Sequence, residues 1–405
     1  MNKNIKLAVA GAVLALSASA ANAGIIIPAG EWTLDINGNT NAFYIYNNAK
    51  DSATIGGGIA NTRSTGSAGD QVSGINTGLL PAWLGVTGKS RQNDLDTEFT
   101  ISFQPGASTV TSLALGGASE FRQAYFSFGD KSWGTVLVGK DLGQFGRDAI
   151  LNDMTLLGVG SGAATQGGGG TTTLGRIGTG YMYADFNGQI NYTTPNMNGL
   201  QITVGIDQPL QLSSLEATNT NTGSLTAAVD QKSPAFVGVA RYSFAAENVS
   251  GKLWVEGKQQ KAYATGFSGN SNIAGIGGNL NAGGLSATAY YYRGEGAGTT
   301  AWLLDGYSTT NNAKRDSDGG YVQLTYVLPT KTKAGLSWGR SNLDRAGGEA
   351  NTTLVKSNEM STAGLYHPLT KHLNLVGEYS RVESENHAGA ENKADVVSLG
   401  GILFF

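Results

Sequence analysis

Apolar and polar residues exchange places one by one along nearly the whole chain, and this alternation constrains the fold more than any other feature. In Leu95-Asp96-Thr97-Glu98-Phe99-Thr100-Ile101-Ser102-Phe103 the odd positions are mainly apolar and the even ones polar. A period of two belongs to a β-strand with two unlike faces. The pattern returns in Trp32 to Tyr46, where Leu34, Ile36, Ala42, Tyr44 and Tyr46 oppose Asp35, Asn37, Asn39 and Asn41. It recurs at Ile202, Val204 and Ile206, at Val322, Leu324, Tyr326 and Leu328, and at Leu373, Leu375 and Tyr379. The final strand keeps it, with Val397, Leu399, Leu403 and Phe405 on one face. An unprotected apolar strand at the end of a soluble domain invites aggregation. A closed barrel in a membrane has no open edge and wants apolar side chains outside. The last strand is therefore expected to close a barrel by pairing with the first, near Trp32 to Tyr46.

The start of the chain agrees. Lys3 and Lys6 precede a short apolar run from Leu7 to Leu16, and Ala21-Asn22-Ala23 reads as a small-residue cleavage site. Residues 1–23 are expected to be a cleaved secretory signal peptide, and 24–405 a single domain. Beyond residue 23 no apolar run is long enough to span a bilayer as a helix, which takes about 20 residues. There is no cysteine, so neither a disulfide framework nor a thiolate metal site is available. Sixty glycines with only 14% charged residues depart from an ordinary soluble domain. A net charge of −3 argues against nucleic acid as a partner.

Sixteen strands are predicted near 32–46, 81–89, 94–104, 119–128, 133–140, 178–194, 200–207, 235–244, 251–259, 272–280, 285–293, 319–328, 333–341, 358–366, 372–381 and 394–405. Tight turns such as Asp130-Lys131-Ser132, Asn196 to Gly199 and Ala282-Gly283-Gly284 alternate with the long polar segments 47–80, 141–177, 208–234, 294–318 and 342–357. Short turns on one rim and long loops on the other mark an all-β, transmembrane, antiparallel up-and-down barrel. An even strand number puts both termini on the periplasmic rim. Aromatics gather near strand ends, at Tyr44, Tyr46, Tyr290 to Tyr292, Trp338, Tyr366 and Phe404-Phe405, where interfacial girdles are expected. A soluble β-sandwich would not segregate its connections by length so regularly, and a solenoid would show a fixed repeat that is absent.

Three stretches then resemble the general bacterial, Gram-negative outer-membrane porins, the sixteen-stranded trimeric type. Ala82-Trp83-Leu84-Gly85-Val86-Thr87-Gly88 looks like the second strand of that family. Phe121 to Asp130 followed by Trp133 to Lys140 looks like its fourth and fifth strands, and Gly188 to Leu200 like the hairpin after its third loop. The resemblance implies a third extracellular loop, here about 141–177, folded into the barrel. In the family, acids on this loop face wall arginines and lysines across the pore. Matched position by position, Arg122 sits where a constriction arginine is expected, Asp153 resembles a loop acid, and Arg176 the arginine ending the loop. Asp148 is a second candidate acid, and Gly167–Gly170 would give the loop flexibility. Trp83 stands where an arginine would be called for, Asn39 where a lysine is often found, and Leu157 where a further acid would be. A less charged, shape-selective eyelet is the expectation.

Parity also picks lumen-facing residues without any family. If Leu253, Val255 and Gly257 face lipid, then Lys252, Glu256 and Lys258 face inward. Arg241 does so by the same argument, as do Asp35, Asp96, Glu98, Asp207 and Glu378. The warrant is that Lys or Arg facing lipid at mid-bilayer costs about 2–4 kcal/mol. Of three histidines, His367 and His372 flank a short turn and His387 lies in the last loop, so no catalytic grouping is expected. The function expected is an outer-membrane porin passing small hydrophilic solutes, not an enzyme, with no cofactor or metal. The alternatives are a substrate-selective channel, or a non-conducting structural or adhesin-like barrel. Outer-membrane lipid and lipopolysaccharide, a homotrimer and the barrel-assembly machinery are the implied partners, with Phe405 as the assembly signal.

Overall fold

The computed structural model describes residues 24–61, 71–108, 119–162, 171–215, 224–225, 230–264 and 266–405. The predicted signal segment and the Gly167–Gly170 run lie outside the described residues. Sixteen antiparallel strands close into a barrel with almost no helix. They are β2 (Trp32–Ala49), β4 (Trp83–Gln92), β5 (Leu95–Pro105), β6 (Ser119–Asp130), β7 (Gly134–Leu142), β8 (Phe186–Thr193) and β9 (Leu200–Asp207). After these come β12 (Ala235–Ala245), β13 (Val249–Ala264), β14 (Phe267–Ala282), β15 (Leu285–Glu295), β16 (Asp316–Val327), β17 (Lys333–Leu343), β18 (Val355–Pro368), β19 (Leu373–Asn386) and β20 (Glu391–Phe404). Closure occurs where expected: Asn39 to Ala49 pair with Phe404 to Ala394. Phe405 completes the seam, its amide donating to the Gly38 carbonyl at 3.0 Å and its carbonyl accepting from Gly38 N at 2.8 Å.

Four additional strands were not foreseen. Two of them, β1 (Ile25–Ala29) and β3 (Gln71–Asn76), both pair with β2. The first folds back on the periplasmic end of β2, continuing the edge on which β20 stops. The second occupies the upper half of the position whose lower half is filled by β4. The second wall position is thus one interrupted strand, and the chain between its halves, residues 77–82, turns inward. Two-residue strands β10 (Ser213–Ser214) and β11 (Ser224–Leu225) pair within the loop after β9.

Several expected boundaries are corrected. Residues 178–185 are not strand: Gly178 (φ 75°) and Gly180 (φ 142°) occupy conformations that break a ladder, and β8 begins only at Phe186. The strands β13 and β14 run on to Ala264 and from Phe267, so that extracellular connection is tight, as is the one between Asn386 and Glu391. The aromatics do not all form girdles. Tyr44, Tyr291 and Trp338 are exposed on the outside, whereas Tyr290, Tyr292, Tyr366 and Phe404 are buried on the inside.

Candidate functional site

The described parts of the loop joining β7 to β8 (residues 143–162 and 171–185) fold into the barrel, and wall side chains hold them there. Gly146 turns the chain at φ 78° and the six-residue helix α1 (Arg147–Asn152) follows. Glu256 on β13 receives the Gly146 amide at 3.1 Å and the Tyr290 hydroxyl at 2.6 Å on one carboxylate oxygen. Asp148 meets two wall cations: Arg241 Nε donates to one oxygen at 2.6 Å and Lys252 Nζ to the other at 2.7 Å. Burial is the largest influence on the Asp148 carboxyl and opposes its ionisation. Arg241 and Lys252 together outweigh it, holding the pKa below the ordinary value. Behind these contacts Ala149 and Ile150 join Trp254, Tyr290, Tyr292 and Tyr321 in a buried apolar cluster. The aromatic ladder inside the wall is loop-binding surface.

Further along, Asp153 caps a single 3₁₀ turn, accepting from the Thr155 amide and hydroxyl at 3.0 and 2.6 Å. It also accepts the Tyr181 hydroxyl at 2.9 Å, and Arg176 Nε lies 3.9 Å away. Both charged side chains are fully buried. Arg176 donates to the Met360 carbonyl at 2.9 Å and to the Ser337 hydroxyl, tying the loop to β17 and β18. On the neighbouring strand β19, Glu378 accepts the Val159 and Gly160 amides at 2.8 and 2.9 Å and the Tyr366 hydroxyl at 2.6 Å. Phe43, Ile45, Val376, Val382 and Val396, all inward, pack on Met154 and Val159 of the loop.

Arg122 points inward because of a β-bulge. Ser102 pairs with Gln123, but Gln104 pairs with Glu120, so Phe121 and Arg122 together oppose Phe103. Strict alternation with the outward Ala124 and Phe126 would have turned Arg122 toward lipid; one extra residue re-aims it. Its guanidinium donates to Glu120 at 2.8 Å and Thr171 at 2.9 Å, and lies 3.3 Å from the Tyr183 hydroxyl, closing the far end of the loop. Nothing in a lone sequence signals that bulge.

Asn39 holds no charge partner among the described residues. Its amide donates to the Pro81 carbonyl at 2.9 Å, and Asn41 reaches the Leu80 carbonyl and the Gly78 amide. This pair supports the inward segment 77–82, whose Leu79 and Leu80 amides donate to the Gly158 and Leu156 carbonyls. A Cβ at Gly78 would lie 2.2 Å from the Gly158 oxygen, so the two chains touch through bare backbone. Trp83 stands where the chain rejoins the wall, 3.4 Å from the Asn37 side chain, and Leu157 packs against the apolar cluster around Met154. Lys258 on β13 pairs with Asp207 at 2.8 Å.

Exposed charges collect at the periplasmic mouth. A space of about 1000 Å³ there is lined by Lys89, Arg91, Glu98, Asp130, Thr135 and Gln201, among others. Arg91 bridges Asp96 at 2.8 Å and Asp130 at 3.1 Å, and Lys89 lies 3.3 Å from Glu98. A second space of about 660 Å³ lies under Leu151 and Asn152, beside Lys252, Thr325 and Lys333. Such surfaces are equipped to hydrate and pass polar solutes.

The fold is shared with solved outer-membrane proteins of low identity. The outer membrane channel DcaP of Acinetobacter baumannii superposes with a TM-score of 0.70 at 17% identity, covering 95% of this chain and all of that one. OmpF of Salmonella typhi, solved with daunomycin, gives 0.57 at 12% identity over 94% of this chain and all of that one. A trimer form of OmpT of Vibrio cholerae gives 0.54 at 14% identity over 92% of this chain and 99% of that one. No curated protein sequence matches the chain. The description "Gram-negative porin" matches residues 9–387. The chain therefore belongs to the Gram-negative porin family, and is an outer-membrane barrel forming a water-filled channel for small hydrophilic solutes.

Proposed function

We propose that this porin discriminates little by charge, because the charges expected at its constriction lie in contact with opposite charges, six cations against five acids. The observation that carries this reading is the pairing itself. Arg122 meets Glu120, Arg147 meets Asp141, Arg176 meets Asp153, Arg241 and Lys252 share Asp148, and Lys258 meets Asp207. Opposed charges held apart across water would create a transverse field that filters ions. Charges in contact cancel most of their field within a few ångströms. Size, set by the inserted loop, is then the main filter. Transport is passive and needs no cofactor, and the reading is of conduction, not catalysis.

A homotrimer in outer-membrane lipid and lipopolysaccharide, delivered by the barrel-assembly machinery, completes the proposal. The trimer form of the similar OmpT supports it. Reconstitution in planar bilayers tests the reading: ohmic steps in salt, arriving in threes from a heat-modifiable trimer, are expected. A correctly folded barrel that stays silent would favour a structural role.

A further inference from the structure

The loop between β15 and β16, residues 296–315, also folds inward, on the extracellular side of the loop described above. Trp302 is its centre. The indole Nε1 donates to Gln260 Oε1 on β13 at 3.0 Å, and Lys258 Nζ lies 5.5 Å from the ring centroid. Gln260 also clamps the loop after β9, accepting the Leu210 amide at 3.1 Å and donating to its carbonyl at 2.6 Å. The Thr300 carbonyl accepts the Tyr183 amide at 2.9 Å, joining the two inserted loops directly. At their junction, among Phe145, Met182, Tyr183, Leu210, Lys258 and Trp302, only about 10 Å³ remains free, room for about one water molecule at most. Leu303, fully buried, takes a left-handed φ of 66°, a conformation that persists only where the surroundings over-determine it.

We propose that Trp302 is a positioning residue of the channel: it seats a second inserted loop as the backing of the first, and so sets the pore's cross-section. The reasoning rests on the channel function and not on the weak charge selectivity proposed above. With Trp302 in place, the extracellular side of residues 177–183 is packed against a rigid neighbour. Without it, residues 177–183 lose their backing on the extracellular side and can move into the space the indole leaves.

The test is single-channel recording with a series of neutral sugars of increasing size, on Trp302→Ala and Trp302→Phe in the full-length trimer. Trp302→Ala is expected to raise conductance by about two-fold and to admit sugars the parent excludes, as the freed cross-section dictates. Trp302→Phe, which keeps the ring under Lys258, should restore most of the parent size limit. If Trp302→Ala does not assemble, Gln260→Ala, which unties both loops without opening an indole-sized hole, is read the same way. Assembled channels whose conductance and sugar cut-off match the parent would overturn the proposal. A change in ion selectivity with no change in size limit would also overturn it, while speaking separately to the charge pairing.

Discussion

Glu378 receives the backbone amide of Val159 at 2.8 Å, so a barrel-wall carboxylate serves as the hydrogen-bond acceptor for the loop folded inside the barrel. Glu256 does the same for Gly146 at the other end of the inserted segment. Each glutamate is braced by an inward tyrosine, Tyr366 for the first and Tyr290 for the second. Loop and wall are thereby joined through backbone amides, which depend on the fold of the loop and not on its side chains.

Glu378→Ala would leave the Val159 and Gly160 amides without acceptors inside the barrel. Stranding buried donors costs about 1–3 kcal/mol each. The expected outcome is a folded trimer with a lower melting temperature and noisier open-channel current. Recordings as quiet as the parent's would show that the loop is held elsewhere.

Asp148→Asn removes the charge shared by Arg241 and Lys252. Two cations then face the lumen with no acid between them, and the channel should shift toward anions, read as a displacement of the zero-current potential in the anion-selective direction. Breaking a buried pair in this way costs about 3–5 kcal/mol, so the variant should also unfold at lower temperature.

Acidification should mimic that change only at low pH. The folded-state pKa of Asp148 lies below its unfolded value, so its contribution is fully present above the unfolded value, about 3.9, and is lost as pH falls through the folded one. Conductance and selectivity should therefore be flat from pH 7 to about pH 4 as far as this group is concerned. A transition near pH 6 that disappears in Asp148→Asn would contradict the sign of the shift.

Arg122→Ala should leave Glu120, half-exposed, without its cation, giving a modest drift toward cation preference together with a looser loop end at Thr171. Loss of a strong pre-existing anion preference in this variant would instead make Arg122 a dominant charge filter.

Removing Phe405 deletes two seam hydrogen bonds to Gly38 as well as the terminal aromatic. Insertion is expected to suffer more than conductance, measured as trimer yield in the outer membrane against single-channel current of the survivors. Normal yield would leave Phe405 with a role in closure alone.

The barrel was legible because its signal is local. Leu253, Val255, Lys252 and Glu256 declare their faces by parity, and the lipid enforces it. What lay hidden arises where distant segments converge. Asp153 and Arg176 look like pore charges in sequence, yet burial makes them partners of each other and of the wall. Arg122 faces inward through a single extra residue opposite Phe103, which alternation alone would have misassigned. The break between Asn76 and Trp83 is held by Asn39 and Asn41 from 40 or so residues away, and Trp302 finds its site only once Gln260 and Leu210 are brought together. No periodicity reports such meetings.

Contact between opposite charges, six cations against five acids, leaves the constriction with little net charge. The most direct test is the zero-current potential of the unmodified channel across a tenfold KCl gradient at neutral pH. A small value of either sign is expected, far from the limit of about 59 mV that a perfectly selective pore reaches for a monovalent ion. A potential approaching that limit would contradict it, since only unpaired charge at the narrowest point could produce it.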